Sequence, residues 1–195
     1  MFRTMSNIVQ SVPTAISAGT TILYPTETVY GLGCRFDDAA ALKALYELKG
    51  RSSKIPVALI ASESSWVTEN FKIPPAASPL MEAHWPGPLA MLLEPHNPDV
   101  FSEVIYEGLV GVRVSGSRIS RELAAACGGA VVSTSANLSG EPTPLHWQNC
   151  PEMVLASVGL IIDGGELAQA LPSTLIRFDG KAGVTVLRQG SVVLA

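Results

Sequence analysis

An α/β protein of the α+β type, built on one twisted mixed sheet flanked by helices, is what this sequence predicts. Three observations carry that expectation. Segments with helical and strand-like apolar patterns alternate through the first half of the chain. Strand-like segments dominate the second half, which favours a mixed sheet over a fully parallel one. No internal repeat, low-complexity tract or linker divides the 195 residues, so the chain reads as a single domain over 1–195.

Ile8, Val9, Val12 and Ile16 recur at helical spacing and stop at Gly19, a residue suited to the position after a helix end. Residues 20–24 are rich in β-branched side chains and read as a buried strand, running into a turn at Pro25, Thr26, Glu27 and Thr28. Asp37 or Asp38 can cap a helix carrying Leu42, Leu45, Tyr46 and Lys49. Residues 57–61 form a short apolar strand, and a helical stretch holding Trp66 and Phe71 follows it. Pro74 and Pro75 break the pattern before a helix with Leu80, Met81, His84 and Trp85, which Pro86, Gly87 and Pro88 end. Residues 89–93 and 110–114 read as strands. Ser117 can cap a helix with Ile119, Leu123 and Cys127, closed by Gly128 and Gly129. Residues 130–133 form a strand entering a turn rich in serine and asparagine, and 160–163, 174–177 and 184–188 are the closing strands.

Hydrophobic residues make up 47% of the chain and charged ones 15%, enough to fold without a partner. The net charge of −4 argues against a general nucleic-acid coat protein, although not against a local basic cleft. Three cysteines without a C-x-x-C pair disfavour a disulfide framework or a zinc site and suit a reducing cytosol. No signal-like N-terminus and no membrane-length apolar run occur, so a soluble cytoplasmic protein is expected.

Several segments can carry chemistry. Neither a Walker-type phosphate loop nor a G-x-G-x-x-G fingerprint is present, so any nucleotide would be held by side-chain cations and polar turns. Residues 24–32 put Thr26, Glu27 and Thr28 directly after a buried strand, where open α/β sheets place ligands; a plain strand exit is the other reading. Lys49, Arg51 and Lys54 lie within six residues at a helix end. They form either a polyphosphate clamp or a solvated complement to the helix dipole. Residues 132–140 crowd Ser133, Thr134, Ser135, Asn137 and Ser139 after an apolar strand, a composition that suits an anion-binding turn. Arg113 lies in an apolar strand and needs a partner, either a ligand carboxylate or an internal Asp or Glu. The three histidines are scattered and do not read as a metal set, and Trp66, Trp85 and Trp147 read as packing residues.

Taken together, the segments Pro25-Thr26-Glu27-Thr28-Val29-Tyr30-Gly31-Leu32, Lys49-Gly50-Arg51, Trp85-Pro86-Gly87-Pro88, Val112-Arg113-Val114, Ser133-Thr134-Ser135-Ala136-Asn137-Leu138-Ser139-Gly140 and Arg188-Gln189-Gly190 resemble the YrdC family of L-threonylcarbamoyladenylate synthases. They follow the family's order over about residues 20 to 190. The resemblance implies a short, single-domain bacterial form whose sheet surrounds a concave cleft. It implies an enzyme that joins ATP, L-threonine and bicarbonate or CO2 into threonylcarbamoyl-AMP with release of pyrophosphate, the first step of threonylcarbamoyladenosine formation at position 37 of tRNA. By the same resemblance Lys49, Arg51, Lys54, Ser135, Asn137, Thr143 and Arg188 would hold ATP, while Thr28, Arg113, Ser133 and Ser173 would hold threonine, with Arg113 on its carboxylate. Mg2+ would bind through the phosphates rather than through protein side chains. No residue is assigned as a catalytic base or nucleophile; for Glu27 a structural hydrogen-bonding role is favoured over acid–base work. A tRNA threonylcarbamoyl transferase complex would take the product. The chain departs from the long members at Ile55 and Ile60, where polar residues are usual, and side-chain contacts there are not expected. Two alternatives are an RNA-binding or ribosome-assembly module using the same cleft without catalysis, and a diverged acyl or carbamoyl transferase.

Overall fold

The computed structural model describes residues 2–3, 19–50, 57–168, 171–180 and 183–194. The helix expected on Ile8, Val9, Val12 and Ile16 lies outside the described residues, as do Arg51, Lys54 and Ile55.

Strand β1 (Phe2–Arg3) is followed by β2 (Ile22–Pro25) and β3 (Tyr30–Gly33). The latter two pair antiparallel, Ile22 opposite Gly33 and Pro25 opposite Tyr30. The sequence pattern reads residues 24–32 as a ligand-bearing segment or a plain strand exit and gives no second strand there. Packing reverses that preference: a Cβ on Gly33 would stand 2.8 Å from the Tyr24 ring and 2.3 Å from the Val132 carbonyl oxygen. Only glycine lets β3 lie that close to its neighbours.

Helix α1 (Ala39–Leu48) is capped by Asp38, whose carboxylate accepts from the Ala41 N–H at 2.9 Å, while Asp37 pairs with Arg35 instead. Strand β4 (Ala58–Ala61) leads to α2 (Ser64–Asn70). The helix stops before Phe71, which opens the two-residue strand β5 (Phe71–Lys72) against β6 (Leu89–Pro95). Phe71 is fully buried, with its ring 4.9 Å from that of Phe101, and Trp66 packs in the same aromatic cluster. Helix α3 (Ala77–His84) likewise ends one residue short of Trp85, whose indole N–H donates to the Leu89 carbonyl at 2.6 Å. Strand β7 (Val110–Val114) precedes α4 (Arg118–Ala126), which Ser117 caps and which ends at Gly128 and Gly129 with φ of +87° and +109°. Strand β8 (Ala130–Ser135), α5 (Glu152–Ser157), β9 (Leu160–Ile162), β10 (Thr174–Asp179) and β11 (Gly183–Arg188) complete the order. Helix α5 is absent from the pattern of the sequence.

The strands form one mixed sheet in the order β1-β9-β2-β3-β8-β4-β7-β6-β10-β11, with β5 beside β6. Neighbours β4 and β7 run parallel, as do β6 and β10, whereas β4–β8 and β6–β7 are antiparallel. The larger core fills one face, holding Leu23, Leu32, Leu59, Val112 and the aromatic cluster. On the other face Ile22, Tyr24, Ile60 and Val131 pack with Leu123, Ala124 and Cys127 of α4. Burial of this kind supplies about 1.5–3 kcal/mol per large apolar side chain. Ile60 is fully buried in that second cluster, so this position serves the core.

Candidate active site

A cavity of about 660 Å³ opens on the face that α4 only partly covers. Its floor is a cross-strand row of small residues: Gly111 on β7, Ala58 on β4 and Ser133 on β8 stand side by side by pairing register. Strands alternate their side chains between faces, so the small groups at these positions leave a hollow where larger ones would have filled the surface. Leu92, Leu175 and Val57 supply apolar wall, and Thr28, Ser133, Ser135, Thr143 and Ser173 bring hydroxyls to the same space. Arg113 and Arg188 give it positive charge. That volume and this mixture of apolar wall with a few convergent polar groups are characteristic of small-molecule sites. A smaller concavity of about 430 Å³ beside α1, lined by Leu42, Lys43, Tyr46 and Glu47, lacks that convergence among its described residues.

The turn after β8 is held from behind. Lys49, at the C-terminal cap of α1, is 5% exposed, and its ammonium donates to the carbonyls of Ser135 and Asn137 at 2.5 and 2.6 Å and to Asn137 Oδ1 at 3.1 Å. An ammonium has three N–H groups, and these acceptors match them in number. The Ser135 hydroxyl donates to Asn137 Oδ1 at 2.5 Å, and Asn137 Nδ2 donates to the Glu141 carbonyl at 2.6 Å. The cation thus organises the turn, while Ser135 remains on the cavity wall.

Across the cavity the loop from β2 to β3 is built around Thr26. Its hydroxyl donates to the Val29 carbonyl at 2.7 Å and accepts from the N–H groups of Thr28 and Val29, each at 3.1 Å. The Thr26 and Thr28 hydroxyls also stand 2.9 Å apart, where either can donate to the other.

Arg113 and Glu27 form a buried ion pair from Nη1 to Oε1, their side chains 6% and 19% exposed. The internal carboxylate anticipated for an arginine in an apolar strand is present. It occupies one edge of a group with five N–H donors, so a second anion can still be held. The Ser115 hydroxyl donates to the other Glu27 oxygen. Burial pushes the Glu27 carboxyl up, but the Arg113 guanidinium and the Ser115 and backbone hydrogen bonds outweigh it, leaving the carboxyl below its ordinary range.

The last wall comes from the end of the chain. Arg188 donates through Nε to the Ser173 carbonyl and through Nη2 to the Ser173 hydroxyl, both at 3.1 Å. Thr174 fixes this corner by donating to the Val192 carbonyl at 2.7 Å and accepting from Gly190 N–H at 3.0 Å. Gly190 sits where a Cβ would stand 2.1 Å from the Pro172 carbonyl oxygen.

Of the residues singled out by sequence, Thr28, Arg113, Ser133, Ser135, Thr143, Ser173 and Arg188 meet around one cavity. Lys49 and Asn137 are buried in the support of the turn, and Arg51 and Lys54 lie outside the described residues. The floor residues Ala58 and Gly111 carry no sequence signal, because smallness at a strand position becomes informative only once the neighbouring strand is known.

Comparison with known proteins follows this geometry. A family model named Sua5_yciO_yrdC, with the description "Telomere recombination", matches residues 14–190. The threonylcarbamoyl-AMP synthase of Pyrococcus abyssi is 36% identical over 83% of this chain and 48% of its own length. That of Alkalilimnicola ehrlichii is 35% identical over 92% of this chain and 91% of its own. The chain thus spans about half of the archaeal relative and nearly all of the bacterial one. The structure of P. abyssi Sua5 complexed with L-threonine superimposes with a TM-score of 0.86 at 29% identity, covering 97% of this chain and 57% of that one. Escherichia coli YciO gives a TM-score of 0.85 at 25% identity, covering 97% and 95%.

Proposed function

Because this chain belongs to the Sua5, YciO and YrdC family, we propose that it is a nucleotidyltransferase making threonylcarbamoyl-AMP from ATP, L-threonine and bicarbonate or CO2. One observation carries the reading: a single cavity of about 660 Å³ gathers Arg113 and Arg188 with the hydroxyls of Thr28, Ser133, Ser135, Thr143 and Ser173 beside an anchored polar turn. The relatives named threonylcarbamoyl-AMP synthase and the threonine complex of P. abyssi Sua5 support it.

In this reading Arg113, steadied by Glu27, takes threonine's carboxylate, a group that a guanidinium can grip with two parallel hydrogen bonds. Thr28, Ser133 and Ser173 complete the amino-acid side. The amine nitrogen bonds to the carbon of CO2 as one C–O π pair moves onto oxygen, and the nitrogen's proton passes to water or bicarbonate, leaving a carbamate. A carbamate oxygen then bonds to the α-phosphorus of ATP, and the bond from that phosphorus to the β-phosphate bridging oxygen breaks. Pyrophosphate leaves. Ser135, Thr143 and Arg188 face the nucleotide, while Lys49 and Asn137 hold the turn in position; by the sequence resemblance Arg51 and Lys54 would add charge for the phosphates. Catalysis is then positioning plus stabilisation of phosphoryl charge by fixed donors. Mg2+ would be held by the phosphates of ATP rather than by protein side chains, and would supply neutralisation of phosphate charge. Among the described residues no group of three or more His, Cys, Asp and Glu could hold a metal.

The product would pass to a tRNA threonylcarbamoyl transferase complex in the cytoplasm. No helix among the described residues is long and apolar enough to cross a membrane. The test is pyrophosphate release from ATP and bicarbonate with and without L-threonine, with the nucleotide product identified by mass. Release that does not depend on threonine, or a product lacking the threonylcarbamoyl group, overturns the reading.

A further inference from the structure

We infer that Glu27 is a positioning residue, which aims the Arg113 guanidinium into the cavity and thereby sets the affinity for the amino-acid substrate; this rests on the reading proposed above. The inference begins with where the two side chains stand. Arg113 lines the cavity, and Glu27 meets its guanidinium from the loop after β2, 86 residues away in sequence. A guanidinium on a flexible stem has many rotamers, and one pre-set orientation removes an ordering cost that substrate binding would otherwise bear.

Glu27 is itself held on several sides, which is what a positioning group requires. The Ser115 hydroxyl donates to Oε2, and Ser115 in turn accepts from the Ser117 N–H at 3.2 Å. Ser117 caps the nine-residue helix α4, so the carboxylate stands near the positive end of that helix. The loop carrying Glu27 is tied to the same helix, because Ser120 donates to the Pro25 carbonyl at 3.0 Å. Arg121 closes the far side by donating to the carbonyls of Ser115 and Gly116 at 2.6 and 3.0 Å. Gly116 lies against the stem: a Cβ there would meet Glu27 Cγ at 3.4 Å. Helix α4, the loop after β2 and the end of β7 thus converge on one carboxylate, and that carboxylate fixes one guanidinium.

Two charges removed from water would be costly to leave unmatched, so a buried pair alone is consistent with a purely structural role. The distinction is which substrate constant moves. The experiment uses Glu27→Ala and Glu27→Gln in the full chain, with half-saturation constants for L-threonine and ATP from pyrophosphate release and a melting curve for each variant. Glu27→Ala should raise the threonine constant about tenfold, the loss that follows when a charge-assisted hydrogen bond is misaligned. Its ATP constant should stay within about twofold, since among the described residues Ser135, Thr143 and Arg188 make no hydrogen bond to Glu27, whose partners are Arg113 and Ser115. Glu27→Gln keeps an oxygen for Arg113 to donate to but loses its charge, and should raise the threonine constant by a smaller factor, about threefold. If the alanine variant does not fold, the glutamine variant still decides: a threonine constant raised more than the ATP constant upholds the inference. Equal losses for both substrates, unchanged threonine affinity, or tighter threonine binding in either folded variant overturns it. Tighter binding would mean that Glu27 competes with the substrate for Arg113. A wild-type protein without threonine-dependent release overturns the functional reading, and this inference falls with it. An active wild type with unaffected variants overturns the inference alone.

Discussion

Replacing Lys49 with methionine removes an ammonium that is 5% exposed and donates to the Ser135 and Asn137 carbonyls and to Asn137 Oδ1. Asn137 Oδ1 keeps the Ser135 hydroxyl at 2.5 Å, so the two backbone carbonyls bear the loss. A buried acceptor left without a donor costs about 1–3 kcal/mol. Taking a charge out of the interior offsets part of this, and water entering from the cavity offsets more, leaving a net destabilisation of about 2–4 kcal/mol. For a chain of this size each kcal/mol moves the midpoint by about 2–4 °C, so Lys49→Met should melt about 4–16 °C below wild type. ATP affinity should fall as well, because Ser135 belongs to the same turn. Thermal melting and calorimetric titration of ATP, on one protein preparation, measure both. If Lys49 acted only as a phosphate ligand, ATP binding would be lost while the midpoint stayed within about one degree of wild type. That result would refute the assignment of Lys49 as the anchor of the turn.

Arg113→Lys keeps the charge and a partner for Glu27 but loses the two-pronged grip, so threonine affinity should drop about tenfold with ATP affinity nearly intact; a stable variant with normal threonine titration removes the carboxylate role. Ser133→Ala should weaken mainly threonine and Ser135→Ala mainly ATP, and equal losses for both ligands in both variants would indicate a collapsed turn instead. The lowered Glu27 value means that the folded chain binds its proton less readily than the unfolded chain. The stabilisation it brings is complete above the unfolded glutamate value of about 4.3 and is lost as pH falls through the lower folded value. Melting between about pH 6 and pH 3 should therefore fall more steeply for wild type than for Glu27→Gln, and parallel profiles would contradict the linkage. Burial pushes the thiols of Cys34 and Cys127 up to about 12 and that of Cys150 up to about 11, so an aromatic disulfide reagent at neutral pH should label none in the native protein and three after denaturation.

The mixed sheet with flanking helices was legible in the sequence because its signals are local. Asp38 and Ser117 cap helices by reaching an N–H three residues ahead, and Gly128 and Gly129 end α4 through positive φ angles that their own backbones adopt. The crowding of hydroxyls after β8 and the arginine within β7 were equally visible, since composition and strand alternation mark them without knowledge of neighbours. Tertiary structure alone decided which partners those groups meet. Strand β3 can lie where it does because glycine at 33 leaves room for the Tyr24 ring and the β8 backbone, a cross-strand fact that outweighs propensity. Lys49 turns inward to a turn 86 to 88 residues away, and Arg113 meets Glu27 across a separation of 86, distances over which sequence periodicity is silent. The cavity floor of Gly111 and Ala58 arises only from the register of β7 on β4. Propensity and capping act over a few residues and are written in their order, whereas register and side-chain direction are set by packing against whatever the rest of the chain brings alongside.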